Sequence, residues 1–182
     1  RFNEATIKLK KDINKGRVGY IKSGKVWYCK GLLNNGSHFI DLMIYFFGLP
    51  TNVKILNNNF KDDSENFEPD FQLEFSETHI SFFSTRTQGY SFMELDLIGS
   101  EGRIRYTNNN IYYYKVKNHK YFDKTNILKL TEKRDLKLKN YQYDVLESIN
   151  KKNTVDSIVS NGESAILTLN VISEIKNQLK LV

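Results

Sequence analysis
Six β-type segments follow one another between Val53 and Val116 with no helical pattern between them, and this spacing constrains the fold more than any other feature. They read VKILNNNF, FQLEF, HISFFSTR, FMELDLIGS, GRIRYT and IYYYKV, alternating or rich in β-branched and aromatic residues. Turn signals separate them at Asn57 to Asn59, Ser76 to Thr78, Gly89, Gly99 to Gly102 and Asn108 to Asn110. Strands this close cannot be joined by crossover helices, so they predict an antiparallel meander. Before them come a helical run, NEATIKLKKDIN, stopped by Gly16, a β-rich run, RVGYIKSGKVWYC, and a buried helix from Asn34 to Phe47 closed by Gly48 and Pro50. After them come YQYDVLESINKK and GESAILTLNVISEIKNQLK, the latter with Ala165, Leu169, Ile172, Ile175 and Leu179 predicted on one face. Segregated strands and helices predict an α+β fold: an open-faced, predominantly antiparallel sheet with helices packed on one face. The apolar content of FQLEF and HISFFSTR suggests that the other face meets a partner sheet, hence a dimer.

The 182 residues suit one domain, and 40% hydrophobic with 13% aromatic residues excludes a disordered chain. No apolar run approaches the ~18 residues of a membrane span. The basic start has no apolar stretch typical of a signal peptide, and Arg1 opens in mid-pattern, as if cut from something longer. Cys29 is the one cysteine, so no intrachain disulfide is possible, and a reducing cytoplasm is the simplest expectation. The net charge of +6 is local: residues 115–139 hold nine Lys/Arg against three Asp/Glu, leaving 18 of each sign elsewhere. That segment reads as strands with outward lysines that blunt a sheet edge. A second reading makes it a surface for an anionic ligand or nucleic acid, although no nucleic-acid motif accompanies it. The acidic run DDSENFEPD matches no calcium loop and reads as solvated.

Chemistry concentrates in NNGSHFID, directly before LMIYFFG. On a helix, Asn34, His38, Asp41 and Tyr45 fall at steps of four, three and four, a polar stripe among apolar faces. Such a stripe is either satisfied inside the core or faces a cleft, and spacing alone leaves both open. Facing a cleft, the His38 imidazole could exchange a proton with a substrate hydroxyl. His79 and His119 form no metal-ligand spacing with it, Ser37 lacks a nucleophile-elbow pattern, and Cys29 reads as a buried thiol.

Four stretches in order, INKGRVGYIKSGKVWYCKG, GLLNNGSHFIDLMIYFFGLPTNV, LDLIGSEGRIRY and NGESAILTLNVISEIKNQLK, together resemble the C-terminal domain of the Gfo/Idh/MocA oxidoreductases. The matching features are a Gly-x-x-Gly turn, the helix pattern Asp-x-Gly-x-His-x-x-Asp, a Gly-Thr-x-Gly hairpin and a closing helix beginning Gly-x-x-Ala. The resemblance implies one C-terminal domain over residues 1–182, of the dihydrodipicolinate reductase/glyceraldehyde-phosphate dehydrogenase-like kind, which binds substrate and forms the oligomer through its sheet. It implies that the Rossmann domain, which binds NAD or NADP, lies outside this chain, so that these residues alone bind no cofactor and turn nothing over. It implies a parent enzyme oxidising a hydroxyl of a sugar or sugar nucleotide, with no metal and no membrane partner. By position, His38 matches the family histidine that assists proton transfer, and Asp41 matches the helix aspartate. Asn34 stands where many members carry an aspartate, and its amide cannot accept a proton, so it could only orient substrate or His38. Asn35, Tyr28 and Lys30 flank the pocket entrance in the same comparison.

Overall fold
A computed structural model describes residues 3–57, 67–87, 89–118, 126–136, 141–150 and 161–180. The order is α1 (Glu4–Asn14), β1 (Ile21–Tyr28), a π turn (Leu32–Gly36), α2 (Ser37–Phe47), β2 (Asn52–Asn57), β3 (Asp70–Glu74), β4 (His79–Ser84), β5 (Glu94–Gly99), β6 (Gly102–Tyr106), β7 (Asn110–Asn118), β8 (Asn126–Asp135), α3 (Tyr141–Asn150) and α4 (Gly162–Lys180). No helix among the described residues is long and apolar enough to cross a membrane.

The eight strands form one open sheet in the order β2-β3-β4-β1-β5-β6-β7-β8. Every neighbouring pair is antiparallel except β1 and β4, which run parallel with Tyr28 opposite Ser84. Strand alternation sends Val26, Tyr28, Phe71, Leu73, Ile80, Phe82, Leu95, Leu97, Ile104 and Ile111 inward, where they are fully buried in one core with residues of α1, α2 and α4. At its centre Phe71 and Phe82 stack with ring centroids 4.4 Å apart, and Tyr28 meets both edge-on. The α+β architecture with a mostly antiparallel open sheet is the one expected, but the single meander is not: β1 inserts between β4 and β5 and divides the strands into β2–β4 and β5–β8.

The opposite face of the sheet is polar and tied. Asp96 and Glu94 on β5 pair with Arg103 and Arg105 on β6, and Gln72 on β3 donates to the Ser81 hydroxyl on β4. Trp27 and Phe83 lie together there, 5.4 Å between centroids. Most of the apolar content of FQLEF and HISFFSTR points into the core, and of these two strands only Phe83 offers a large apolar group outward.

The glycines of the first and third motif stretches meet each other. The Glu101 amide donates to the Val18 carbonyl at 2.9 Å and the Ser100 amide to the Tyr20 carbonyl at 3.0 Å. A Cβ at Gly99 would overlap the Val18 carbonyl oxygen, a backbone atom that cannot step aside. Gly99→Ala is expected to cost about 1–3 kcal/mol as overpacking, read as a lower urea midpoint with an unchanged slope.

Caps fix the first helix. The Asn3 side chain accepts from the amides of Ala5 and Thr6, and Gly16 at φ +64° closes the C-terminus. Near that end lies a buried-side network: Asp12 accepts from the Tyr113 hydroxyl at 2.8 Å and from Arg134 at 3.0 Å, and Arg17 pairs with Asp12 and Glu132. Burial works against the Asp12 carboxylate, but the hydrogen bonds of Tyr113 and Arg134 and the charge of Arg17 outweigh it, so its pKa lies below the ordinary 3.8. A carboxyl lowered in the folded state stabilises the fold above its unfolded pKa, and that stability is lost as pH falls through the lower folded value. Asp12→Asn is expected to be less stable than the parent at neutral pH, with the difference narrowing in denaturant titrations as pH falls through and below the ordinary carboxylate range.

Three further expectations need correction. The helix predicted from Asn34 begins as a π turn, with the Gly36 amide bonded to the Gly31 carbonyl at 3.1 Å, and becomes α-helical at Ser37. The wider turn is compatible with burying both Leu32 and Asn35, and a Cβ at Gly36 would press on Leu32 and Tyr28. The inward face of α4 is Ser164, Thr168, Val171, Ile172 and Ile175, while Ala165 and Leu169 are exposed. Thr168 turns inward because its hydroxyl donates to Asp41 on α2 at 3.3 Å. Finally, DDSENFEPD is not solvated at its end: Glu68 and Asp70 are built into the sheet terminus, as described below, while Asp62, Asp63 and Glu65 lie outside the described residues. The lysines of 115–139 that are described, Lys115, Lys117, Lys129 and Lys133, stand exposed on the β7–β8 edge as expected; His119 lies outside the described residues.

Candidate functional site
Because β1 and β4 run parallel side by side, their chains leave the sheet at the same end and in different directions. From β1 the chain enters the π turn and α2. From β4 it continues to β5 on the other side of β1. The Thr85 amide donates to the Tyr28 carbonyl at 2.8 Å, which holds that connection in place. In open α/β sheets ligands bind outside the carboxyl ends of diverging parallel strands, and β1 and β4 are the parallel pair of this sheet.

The carboxyl end of the β1–β4 pair is held by short polar links. Glu68 accepts from the Gly31 amide at 2.7 Å and from the Ser84 hydroxyl. Asp70 accepts from the Ser84 amide at 2.9 Å and lies 3.4 Å from the Arg86 guanidinium. The Cys29 sulfur accepts from the Phe92 amide at 3.1 Å and the Asn35 side-chain amide at 3.7 Å, and donates to the Tyr90 carbonyl at 3.8 Å. The buried thiol expected from the sequence thus pins both connections to one point. Two residues past the paired Tyr28 and Ser84, each strand reaches a non-glycine residue in the left-handed region, Lys30 at φ +61° and Arg86 at φ +55°.

The six residues singled out from the sequence divide. Asn34 and His38 are exposed, in the π turn and the first turn of α2, and His38 makes no hydrogen bond among the described residues. Their exposure removes the reading of a satisfied core pair. Asp41 is half-buried and turned to Thr168, a tie between α2 and α4. Tyr45, last in the stripe, lies under Lys10 of α1, whose ammonium is 4.0 Å from the ring centre. Asn35 is buried against Cys29 and supports the turn from behind. Tyr28 is fully buried and donates to the Pro69 carbonyl at 2.5 Å. Burial first, then the charges of Glu68 and Asp70, push its pKa far above the ordinary phenol value, so it stays a neutral donor. Lys30 is exposed at the lip. Ser37 donates to backbone carbonyls of Leu33 and Asn34, and its hydroxyl serves the turn.

Sequence reading missed Glu68, Ser84 and Arg86. They reach the site only through the parallel β1–β4 pairing, which no local pattern announces. Among the described residues no three His, Cys, Asp or Glu side chains are grouped to hold a metal.

No family model and no curated protein matches the chain. Solved structures do. An oxidoreductase from Sinorhizobium meliloti aligns over 98% of this chain and 60% of its own, at 10% identity and a TM-score of 0.69. An oxidoreductase from Agrobacterium radiobacter, in complex with NAD+, L-tartaric acid and magnesium, aligns over 95% and 58%, at 10% identity and 0.62. The super-repressor mutant of Gal80p from Saccharomyces cerevisiae aligns over 98% and 62%, at 14% identity and 0.63. The chain spans about three fifths of the length of these structures. It has the fold of the corresponding part of these chains, two of which are oxidoreductases, in agreement with the motif resemblance to a Gfo/Idh/MocA C-terminal domain.

Proposed function
We propose that this chain is the substrate-binding domain of an NAD(P)-dependent oxidoreductase acting on a hydroxyl of a sugar or sugar nucleotide. The observation that carries the reading is the exposed His38 imidazole at the diverging ends of β1 and β4, in a fold shared with oxidoreductases. A nicotinamide, held by polypeptide outside these 182 residues, supplies the hydride acceptor. His38 accepts the proton of the substrate hydroxyl as its carbon is oxidised, and returns it in the reverse direction. Asn34 orients the substrate or the imidazole through its amide. Asp41 fixes α2 to α4 and so holds His38 in place. The open sheet face, with Trp27, Phe83, Tyr112 and Tyr114, carries the contact to a second copy. The buried thiol suits a reducing cytoplasm.

The test is a screen of the whole protein with NAD and NADP against neutral sugars, sugar acids and sugar nucleotides. Formation of reduced nicotinamide with one of them is the expected result. Failure of the whole protein to bind either dinucleotide, or ordinary dinucleotide affinity in these 182 residues alone, would contradict the reading.

A second reading rests on Gal80p, a protein of this fold described by repression and not by an enzyme activity. In it the chain is a binding or dimerisation domain, and the lysines of the β7–β8 edge meet an anionic ligand or nucleic acid. Steeply salt-dependent retention of a polynucleotide by this chain would favour it.

A further inference from the structure
The buried stripe of α4 changes chemistry along its length. Val171, Ile172 and Ile175 are apolar. Ser164 and Thr168, in the turns before them on the same stripe, carry hydroxyls and are as deeply buried, 9% and 7% exposed. Core packing does not ask for this. A valine has the shape of a threonine and suits burial better, so what threonine adds is a donor. The Thr168 hydroxyl spends it across the helix interface, 3.3 Å from the Asp41 carboxylate on α2 and 3.4 Å from the Ser164 carbonyl on its own helix. Ser164 donates in turn to the Asn161 carbonyl at 2.8 Å. The first turns of α4 are thereby tied to the middle of α2. A polar pair inside an otherwise apolar helix interface adds little stability, but it fixes register and roll, because a slip leaves both partners unpaired.

His38 lies between two such ties. Asn35, three residues before it, is buried with its amide 3.7 Å from the Cys29 sulfur. Asp41, three residues after it, meets Thr168. Between these points the π turn gives way to α-helix at Ser37, so His38 stands in a first helical turn, with its side chain exposed. First turns fray unless something outside the helix holds them. Both ties point inward and leave the imidazole free on the outside.

We propose that Thr168 is a positioning residue for His38: its hydroxyl holds Asp41, and with it the roll of the first turns of α2, so that the imidazole is aimed before substrate arrives. What His38 then does rests on the dehydrogenase reading. Whether Thr168 holds it does not.

The experiment compares Thr168→Val, which keeps the shape and loses the donor, and Thr168→Ser, which keeps the donor, with the parent. In this chain the readouts are the His38 ring resonances and hydrogen exchange of the amides from His38 to Leu42, well below the urea midpoint so that local and global opening stay separate. Thr168→Val should shift the ring resonances and quicken that exchange about tenfold, as for loss of one hydrogen bond to a charged group. The amides of Ile80 and Phe82 on β4 should keep the parent rate, and Thr168→Ser should restore His38. In the whole protein Thr168→Val should lower kcat about ten- to hundredfold, the scale of a small misplacement, with KM within about twofold and serine restoring the rate. His38 signals and exchange equal to the parent's in Thr168→Val overturn the positioning role, as does an unchanged kcat in a protein that oxidises a sugar. Altered His38 signals in a whole protein that oxidises no hydroxyl compound uphold the tie and end the dehydrogenase reading.

Discussion
Replacing His38 with alanine lowers kcat/KM of the whole protein by about 10²- to 10⁴-fold, the usual contribution of a positioned general base, and leaves dinucleotide affinity within about twofold. The fold makes this a clean measurement. His38 is exposed and has no hydrogen-bond partner among the described residues, so its removal should change stability by no more than about 0.5 kcal/mol. A buried His–Asp pair would have behaved differently, because cutting it leaves a polar group unpaired in the core. Here Asp41 has its own partner in Thr168. Loss of rate without loss of stability assigns the imidazole to chemistry. Unchanged turnover would leave His38 as one more exposed residue at a helix start. The steady-state comparison should include the denaturation midpoint of both proteins, so that rate and folding are read on the same preparations.

The second large effect is on stability. Phe82→Ala is expected to cost about 3–5 kcal/mol, the range for emptying a fully buried phenylalanine site. Phe82 is fully buried, stacked on Phe71 at 4.4 Å and met edge-on by Tyr28, so three rings lose contact together. In a chain of this size that corresponds to a fall in Tm of about 10 °C. Phe82→Leu, which keeps most of the volume, should lose much less, about 1–1.5 kcal/mol. The effect should reach the site as well. Phe82 lies two residues before Ser84, and Tyr28 holds Pro69 next to Glu68, so loosening this cluster releases the supports of Gly31 and Arg86. Urea titration followed by amide exchange at Gly31 and Arg86 would show both consequences.

What the sequence disclosed follows physical range. Strands β3 to β7 are legible because alternation and turn residues are local, and β2 to β4 and β5 to β7 each pair with the next strand in order, while β1 separates β4 from β5. The same locality located α2 and its closing Gly48. The parallel β1–β4 pair was not legible. It joins residues more than fifty positions apart, and nothing in SGKVWY distinguishes a parallel neighbour from an antiparallel one. That pairing brings Ser84 and Arg86 beside the end of β1, where Glu68 and Asp70 tie the end of the acidic run into the sheet, and no local pattern announces it. The α4 face was misjudged by about one residue of rotation because apolar spacing outvoted Ser164 and Thr168. Thr168 is tied inward to Asp41, 127 residues away in sequence, and Ser164 caps onto Asn161. Tyr28 was noted near the site, and its role is to support the turn from the core.

Substrate binding where β1 and β4 diverge, as proposed, is tested by amide chemical-shift mapping on this chain with the compound that the whole protein oxidises. Perturbed amides are expected to cluster within residues 29–38 and 84–92. Perturbations confined to the β7–β8 edge or to the open sheet face would contradict it.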